Sequence, residues 1–164
     1  MTATDIVRRL RERLAANPSS RDIMGNRFRA SPPASPAAVA RAEAALGFAL
    51  PTTLRAIYLD VANGGFGPGY GVMGVEGGFT DGQKMTVVDR YRTFLAPDPS
   101  DPEWQWQATW LPFCHWGCNI YSVVDTGERN PVFFIDPGSK DIGAPMSSIV
   151  LPTRTRWTRG SMTG

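Results

Sequence analysis

The sequence predicts a single domain in which helices come first and a sheet follows. Within the first 95 residues, apolar side chains recur every three or four positions, which is typical of helices with one buried face. From Leu111 onwards, apolar residues form short runs between Gly, Pro, Asn and Asp, which is typical of strands. The length of 164 residues fits one domain with a core of its own, and we expect that domain to span residues 1–164.

The spacing of apolar residues predicts the first helix at residues 4–16. The prolines that follow predict an irregular connection at residues 17–36. The connection contains four prolines, and Phe28 is its main apolar anchor. Because the helix has a single apolar stripe, we expect it to lie on the surface of the domain. The stripe consists of Ile6, Val7, Leu10 and Leu14.

Two further helices follow closely in the sequence. Ser35 is a good N-cap with Pro36 in the first turn, and Gly47 stops the helix that they open. The next helix opens at Pro51, and Asn63-Gly64-Gly65 supplies a left-handed stop. Only a few residues separate the two helices, so we expect them to pack against each other.

Residues 84–95 predict another amphipathic helix, with Met85, Val88, Tyr91 and Leu95 facing inward. The second part of the chain is expected to supply the sheet. Its predicted strands are 111–114, 120–124, 132–135 and 148–151, with a turn at 125–130.

A glycine-rich loop from Gly64 to Gly78 contains the pattern G-x-G-x-x-G, between Gly69 and Gly74. A dinucleotide-binding fingerprint follows a strand and opens a helix. Here the pattern follows a helix and runs into a short predicted strand, 72–75. We therefore predict a tight helix-to-strand crossing and no nucleotide cofactor.

The only histidine and both cysteines lie within five residues, at Cys114, His115 and Cys118. In a strand, Cys114 and His115 point to opposite faces, so they cannot form a thiol–imidazole dyad, which needs a separation of about 3 Å. A zinc site needs about three or four protein ligands. We expect both cysteines to pack as small buried apolar residues. The prediction is a protein with no catalytic residues, metal or cofactor; an enzyme built on Cys114, or on Asp125 and Asp136, is the disfavoured alternative.

Charge is distributed unevenly along the chain. Residues 1–55 hold nine arginines against four acids, residues 56–150 hold five basic residues against eleven acids, and the last fourteen residues add three arginines. The acidic body favours a basic protein as partner and makes nucleic acid an unfavourable one. No apolar run approaches the roughly 20 residues of a membrane span, and the start lacks an apolar signal core. With two cysteines, we expect a cytoplasmic protein without membrane contact.

Trp104 and Trp106 lie two residues apart in a polar stretch, so on a strand they would share a face. They could be exposed and contact a partner or a sugar, or they could fill the core and donate their N–H groups to hydrogen bonds. The sequence leaves both interpretations open. For Trp116 the apolar surroundings favour a buried position.

Two blocks of residues resemble the SUKH superfamily, which includes fungal cell-wall-assembly regulators and bacterial toxin-immunity proteins. The first block runs from Leu50-Pro51 through Leu54, Ile57 and Tyr58 to Asn63-Gly64-Gly65-Phe66-Gly67. The second block comprises Leu111-Pro112-Phe113, Trp116-Gly117-Cys118, Ile120-Tyr121 and 132–136. The resemblance covers a core of about 36–150, preceded by 1–35 and followed by an atypical tail, 151–164. It implies an α+β fold, a twisted and mainly antiparallel sheet with helices packed against it.

The resemblance implies a non-catalytic protein-binding module, in bacteria an immunity protein that neutralises a cognate toxin such as a basic nuclease. The alternative is a glycan-binding or cell-wall-assembly regulatory protein that uses the tryptophans. The amphipathic helix with which family members usually end is absent or rewritten in the tail. We therefore expect part of the sheet to be left less covered, or to be covered by another chain, through self-association, or by the N-terminal helix. The residues expected to contact the partner are Asp81, Asp101, Glu103, Trp104, Trp106 and Asp125.

Overall fold

The computed structural model of the chain describes residues 2–22, 24–127 and 129–151. Helices in this part of the chain lie close to their predicted positions, and each start has a clear cause. Thr2 and Thr86 form capping boxes with Asp5 and Asp89, and Ser35 Oγ accepts the Ala38 N–H at 3.1 Å. The helices are α1 (Ala3–Ala16), α2 (Pro36–Leu46), α3 (Thr52–Asp60) and α4 (Val87–Leu95).

The predicted helix 84–95 begins three residues later than expected, because Thr86 is its N-cap. Its inward face also differs from the prediction at one position. Leu95 is the last residue of α4 and its side chain is 42% exposed, whereas Val88 and Tyr91 are buried. In the last turn the contact with the core is made by Phe94, which is 6% exposed, and not by Leu95.

A five-stranded antiparallel sheet follows the chain order, so each strand pairs with the next one. The α+β fold is confirmed. The predicted strand at 72–75 is shorter and starts earlier, and the predicted strand 148–151 is divided between a 3-10 helix, Met146–Ile149, and two strand residues. The strands are β3 (Gly71–Val72), β4 (Trp110–Gly117), β5 (Ile120–Asp125), β6 (Val132–Ile135) and β7 (Val150–Leu151).

The expected irregular connection contains a small hairpin that the sequence analysis missed. Strand β1 (Ser19–Arg21) pairs antiparallel with β2 (Arg27–Arg29). With three residues in each strand and one large apolar side chain, Phe28, the hairpin offers too little alternation to be recognised. It forms because Phe28 packs on the ring of Phe79, with 5.2 Å between the ring centroids.

The glycine loop is the predicted crossing from a helix to a strand. The Asn63 carboxamide fixes it, accepting the Val75 N–H at 2.8 Å and donating to the Glu76 carbonyl at 3.2 Å. Gly64 adopts φ +78°, and a Cβ there would lie 2.6 Å from the Val72 carbonyl oxygen. The asparagine and the glycine of the Asn-Gly-Gly motif thus serve the backbone of the loop.

The core lies where α2, α3 and α4 meet the sheet and the glycine loop. Tyr58 of α3 is completely buried and donates its hydroxyl to the Met73 carbonyl at 2.7 Å. Leu111 and Ile135 are also completely buried, and each contributes about 1.5–3 kcal/mol relative to an exposed side chain. Helix α1 packs on α3, and its side chains Leu10 and Leu14 pack against the edge of the core.

Part of the sheet remains open, in an apolar groove of about 380 Å³ between the sheet and α1 and α3. At its rim the side chain of Val132 is 50% exposed. Its apolar lining includes Ile6, Leu54, Ile57, Phe113, Val124 and Val132. The prediction of an incompletely covered sheet depends on the tail and stays a prediction, because the described residues do not test it. Residues 152–164, to which the prediction about the tail applies, lie outside them.

Candidate functional site

Cys114 and His115 point in different directions, as strand alternation requires. In the register of the sheet, Cys114 pairs with Ser122 and His115 with Tyr121. The Cys114 sulfur lies 3.8 Å from the Pro68 carbonyl oxygen, whereas the His115 ring stacks on Tyr121 with 4.5 Å between centroids. Burial raises the pKa of Cys114 to about 12, so its thiol stays protonated at neutral pH and is a poor nucleophile.

The His115 ring packs between two tyrosine rings. It lies between Tyr121 and Tyr70, whose centroid is 5.0 Å away. Both ring nitrogens are shielded from solvent, and neither has a hydrogen-bond partner in the described part of the chain. Burial lowers the pKa of His115, which favours the neutral imidazole. No group of three or more His, Cys, Asp or Glu residues among those described could hold a metal ion.

Cys118 is exposed, so the expectation that both cysteines are buried is wrong for this one. The strand ends at Gly117, after a shift in register between His115 and Gly117. Cys118 and Asn119 then adopt φ values of 48° and 63° in the turn to β5. The turn takes the Cys118 side chain away from the strand face on which Cys114 packs.

Asp81 was expected to contact a partner, but its side chain is buried in the fold. Its carboxylate forms an ion pair with Arg90 of α4, and both residues are about 5% exposed or less. The same carboxylate accepts the N–H groups of Gln83 at 2.9 Å and Met85 at 3.0 Å. A partner that approaches the folded chain cannot reach it, and its role is to hold the loop before α4.

Asp101 is also buried, but its contacts join two surface loops. Its carboxylate forms an ion pair with Lys140, whose side chain is 2% exposed, and accepts the Gly143 N–H at 3.1 Å. It also accepts the Glu103 N–H at 3.2 Å. The Lys140 ammonium, and then the two backbone N–H groups, hold the pKa of Asp101 below its ordinary value.

The two loops joined by Asp101 form what we call the acidic loop pair, residues 95–104 and 140–143. Exposed carboxylates come from both loops, at Asp98, Glu103 and Asp141. Apolar side chains lie in the same two segments: Ile142 is 78% exposed and Leu95 is 42% exposed. Since the Lys140 charge is paired with Asp101, the exposed face of the loop pair is acidic.

The two tryptophans divide between this surface and the core. Trp106 is buried and donates its indole N–H to the Trp110 carbonyl at 2.8 Å. Trp104 is half-buried and donates its indole N–H to the Phe94 carbonyl at 2.7 Å. The two rings stack, with 6.0 Å between centroids, although the segment is not a strand. Trp106 is therefore too buried to contact a partner, contrary to the prediction. Trp116 is half-buried, whereas a buried position was expected.

Of the six residues expected to contact a partner, three lie in the acidic loop pair: Glu103 is exposed, Trp104 is half-buried and Asp101 is buried. Asp125 lies elsewhere, at the end of β5, where its carboxylate accepts the Gly127 N–H at 3.0 Å. The residues that the sequence analysis missed are Leu95, Asp98, Asp141 and Ile142. No local pattern pairs Asp101 with Lys140, which is 39 positions away, so no signal in the sequence brought the two loops together.

No helix of the described part is both long and apolar enough to cross a membrane. A comparison with curated proteins found no match. The model of the SMI1 / KNR4 family (SUKH-1) matches residues 33–149. That match covers most of the chain, including α2 to α4, β3 to β6 and both halves of the acidic loop pair. The chain therefore belongs to the SMI1 / KNR4 family (SUKH-1).

Proposed function

We propose that this protein is a non-catalytic binding module that acts in the cytoplasm and neutralises a cognate toxin, with a basic nuclease as the favoured partner. The acidic loop pair is the observation that carries the proposal. It combines three exposed carboxylates with two exposed apolar side chains on backbone held by the Asp101–Lys140 pair. Among the roles of the SUKH superfamily, the immunity role is the one that the resemblance implies for a bacterial member.

Charge complementarity supports a basic partner. Carboxylates that project from two neighbouring loops attract a basic surface during encounter, and they disfavour an acidic one. Ile142 and Leu95 add apolar area that becomes buried only when a partner covers it. Because the two loops are held together before binding, the partner does not have to order them.

The surroundings of Cys114 and His115 support a role without catalysis. The Cys114 thiol is protonated and buried, and the His115 nitrogens are shielded from solvent. A nucleophile or a general base needs access to a substrate atom. Neither group has that access, so recognition by the surface is the better supported activity.

The glycan-binding alternative loses support from the tryptophans. Stacking on a sugar needs an open indole face, and Trp106 is only 7% exposed. Trp104 already has its N–H donated to the Phe94 carbonyl and its ring stacked on Trp106. Titration with cell-wall fragments, followed by tryptophan fluorescence, should therefore give no saturable change at millimolar concentrations.

The decisive experiment pairs the protein with the toxin encoded by the adjacent open reading frame. We expect the two to purify together and the toxin to lose activity. In the triple variant Asp98→Lys, Glu103→Lys, Asp141→Lys, affinity should fall by at least about a hundredfold, because each unfavourable charge contact costs several kcal/mol. Affinity is measured by titration calorimetry at fixed salt concentration.

The matched control reverses three exposed acids elsewhere, in Glu12→Lys, Asp60→Lys, Glu76→Lys. It changes the net charge equally, and the surface ion pairs it removes contribute little to stability. Its affinity should stay close to that of the parent protein. A toxin that remains active with this protein in excess would refute the immunity role, and equal losses in the two triple variants would refute the surface.

A further inference from the structure

The β1–β2 hairpin carries three arginines on one face. In both strands the outer residues are exposed and the central one is half-buried, so Arg21, Arg27 and Arg29 point outward while Ser20 and Phe28 point inward. Arg21 and Arg27 are direct partners across the two strands. Like charges in this position destabilise a strand pair, so the arrangement has a cost that the fold alone does not explain.

The charge on this face is not neutralised within the described part of the chain. Arg21 donates one N–H to the Gly25 carbonyl at 3.1 Å, which leaves four of its five donors. Arg27 and Arg29 form no ion pair with any described residue. The one acid of the hairpin, Asp22, accepts the N–H groups of Met24 and Asn26 at 2.9 and 2.8 Å in the turn.

A polar pocket of about 330 Å³ adjoins the two opposed arginines, and its lining is rich in hydrogen-bond donors. The lining residues are Asn17, Ser19, Ser20, Arg21 and Arg27. The Asn17 side-chain oxygen accepts the Ser19 N–H at 3.1 Å, so its amide N–H groups remain as donors. Guanidinium, hydroxyl and amide donors around one small concavity match the oxygens of a phosphate group.

The hairpin is anchored to the domain, so the donors are held in position. Phe28 packs on Phe79, and the Ser31 N–H, just after β2, donates to the Gly64 carbonyl at 3.0 Å. Gly64 belongs to the glycine loop. The pocket therefore has a fixed connection to the family core, although its lining precedes residue 33, where the family match begins.

We propose that this pocket binds a phosphate monoester, either as inorganic phosphate or as the terminal phosphate of a nucleotide. Two opposed guanidinium groups suit the dianion, whose charge offsets their mutual repulsion. A phosphate monoester carries about −1.5 to −2 charge at neutral pH and a diester carries one, so two opposed guanidinium groups favour a terminal phosphate over the diesters of a nucleic-acid chain. The site is independent of the toxin-binding surface, and its test does not depend on the proposed immunity function.

The test is a titration of the whole protein at constant ionic strength with inorganic phosphate, AMP, adenosine and a thymidine oligonucleotide without terminal phosphates. Binding is followed by calorimetry and by the NMR shifts of the Ser19 and Ser20 amides. We expect phosphate and AMP to bind at millimolar concentrations or below, and adenosine not to bind. Binding by AMP but not by phosphate would identify the nucleotide as the source.

In Arg21→Gln, Arg27→Gln the affinity should fall by about tenfold or more, because two charge-assisted hydrogen-bonding groups are lost. Arg13→Gln, Arg41→Gln is the control with the same change in net charge, and its affinity should not change. Arg21→Lys keeps the charge but loses the fork, so its affinity should fall less than in the glutamine variant. An absence of binding by phosphate and AMP, equal affinity in the two double variants, or binding by the oligonucleotide alone would overturn the proposal.

Discussion

Two ion pairs of the described chain have side chains that are less than a tenth exposed, and they lie in different surroundings. In the first, the Arg90 guanidinium lies 5.6 Å from the ring centroid of Phe94 and 5.4 Å from that of Tyr121, while it also binds Asp81. In the second, Lys140 and Asp101 are residues of two surface loops, which their ion pair joins. The first pair belongs to the packing of α4 on the sheet, and the second determines the shape of a surface.

A buried ion pair can therefore stabilise the packing of the core or determine the shape of a surface. Its other contacts show which of the two roles it has. Removing one partner leaves a buried charge without compensation, and the cost depends on whether water can reach that charge after a small local movement. The Arg90 guanidinium is held between the rings of Phe94 and Tyr121 in the core, so we expect no such local release. Lys140 and Asp101 belong to surface loops, so we expect the loss of this pair to release the loops locally and to leave the core intact.

The largest expected effect is that of Asp81→Ala on global stability. The variant leaves Arg90 buried without its carboxylate partner, and we expect the free energy of unfolding to fall by about 3–5 kcal/mol. Chemical denaturation followed by circular dichroism measures the change.

A double-mutant cycle with Asp81→Asn and Arg90→Met separates the ion pair from the other bonds of Asp81. Asparagine keeps the acceptor for the Gln83 and Met85 N–H groups, and methionine removes the buried charge. The double variant should recover part of the stability that Asp81→Asn loses. If Asp81→Ala lost less than about 1 kcal/mol, the Asp81–Arg90 pair would not stabilise the packing of α4 on the sheet.

The second expected effect is local and involves the acidic loop pair. In Asp101→Ala the amides of Gly143 and Glu103 lose their acceptor, and their hydrogen exchange should accelerate by about tenfold or more. Amides in the centre of β5 should keep their protection. Faster hydrogen exchange across the whole sheet would show that the Asp101–Lys140 pair stabilises the core as well as the two loops, which would contradict the prediction.

Acid should have the same local effect, and the sign follows from the lowered pKa of Asp101. A carboxyl whose pKa is lower in the folded state stabilises that state at pH values above its unfolded pKa of about 4, and the contribution is lost as pH falls through the folded value. The loops should therefore separate only in acid below about pH 4. The Gly143 amide shift should titrate there, and the titration should be missing in Asp101→Asn.

Sequence reasoning identified the class of fold, the main helices and the central strands, because periodicity and capping residues are local signals. It placed α2 and β6 well and missed the β1–β2 hairpin, which has one large apolar side chain. For the site it selected Glu103 and Trp104 and could not separate Asp81, Asp101 and Trp106, which are buried, from exposed residues. Burial of an acid depends on a cation that is distant in sequence, as Lys140 is from Asp101, and one sequence contains no signal for that pairing.

The two cysteines also differ in burial, and we expect the substitution of the exposed one to have little effect on stability. Cys114 is buried with its pKa raised to about 12 by burial, and Cys118 is exposed in the turn after β4. One thiol per folded chain should react rapidly with a disulfide reagent at pH 8, and the second should react only on unfolding, because attack requires both a thiolate and access.

Cys118→Ser should remove the rapid reaction and change stability by less than about 0.5 kcal/mol, as expected for a surface substitution. Cys114→Ser should keep the rapid reaction but cost about 1–3 kcal/mol, since it buries a hydroxyl in place of an apolar thiol. Rapid reaction of both thiols in the folded chain would show that the face of β4 carrying Cys114 opens readily, and that result would contradict its assignment to the core.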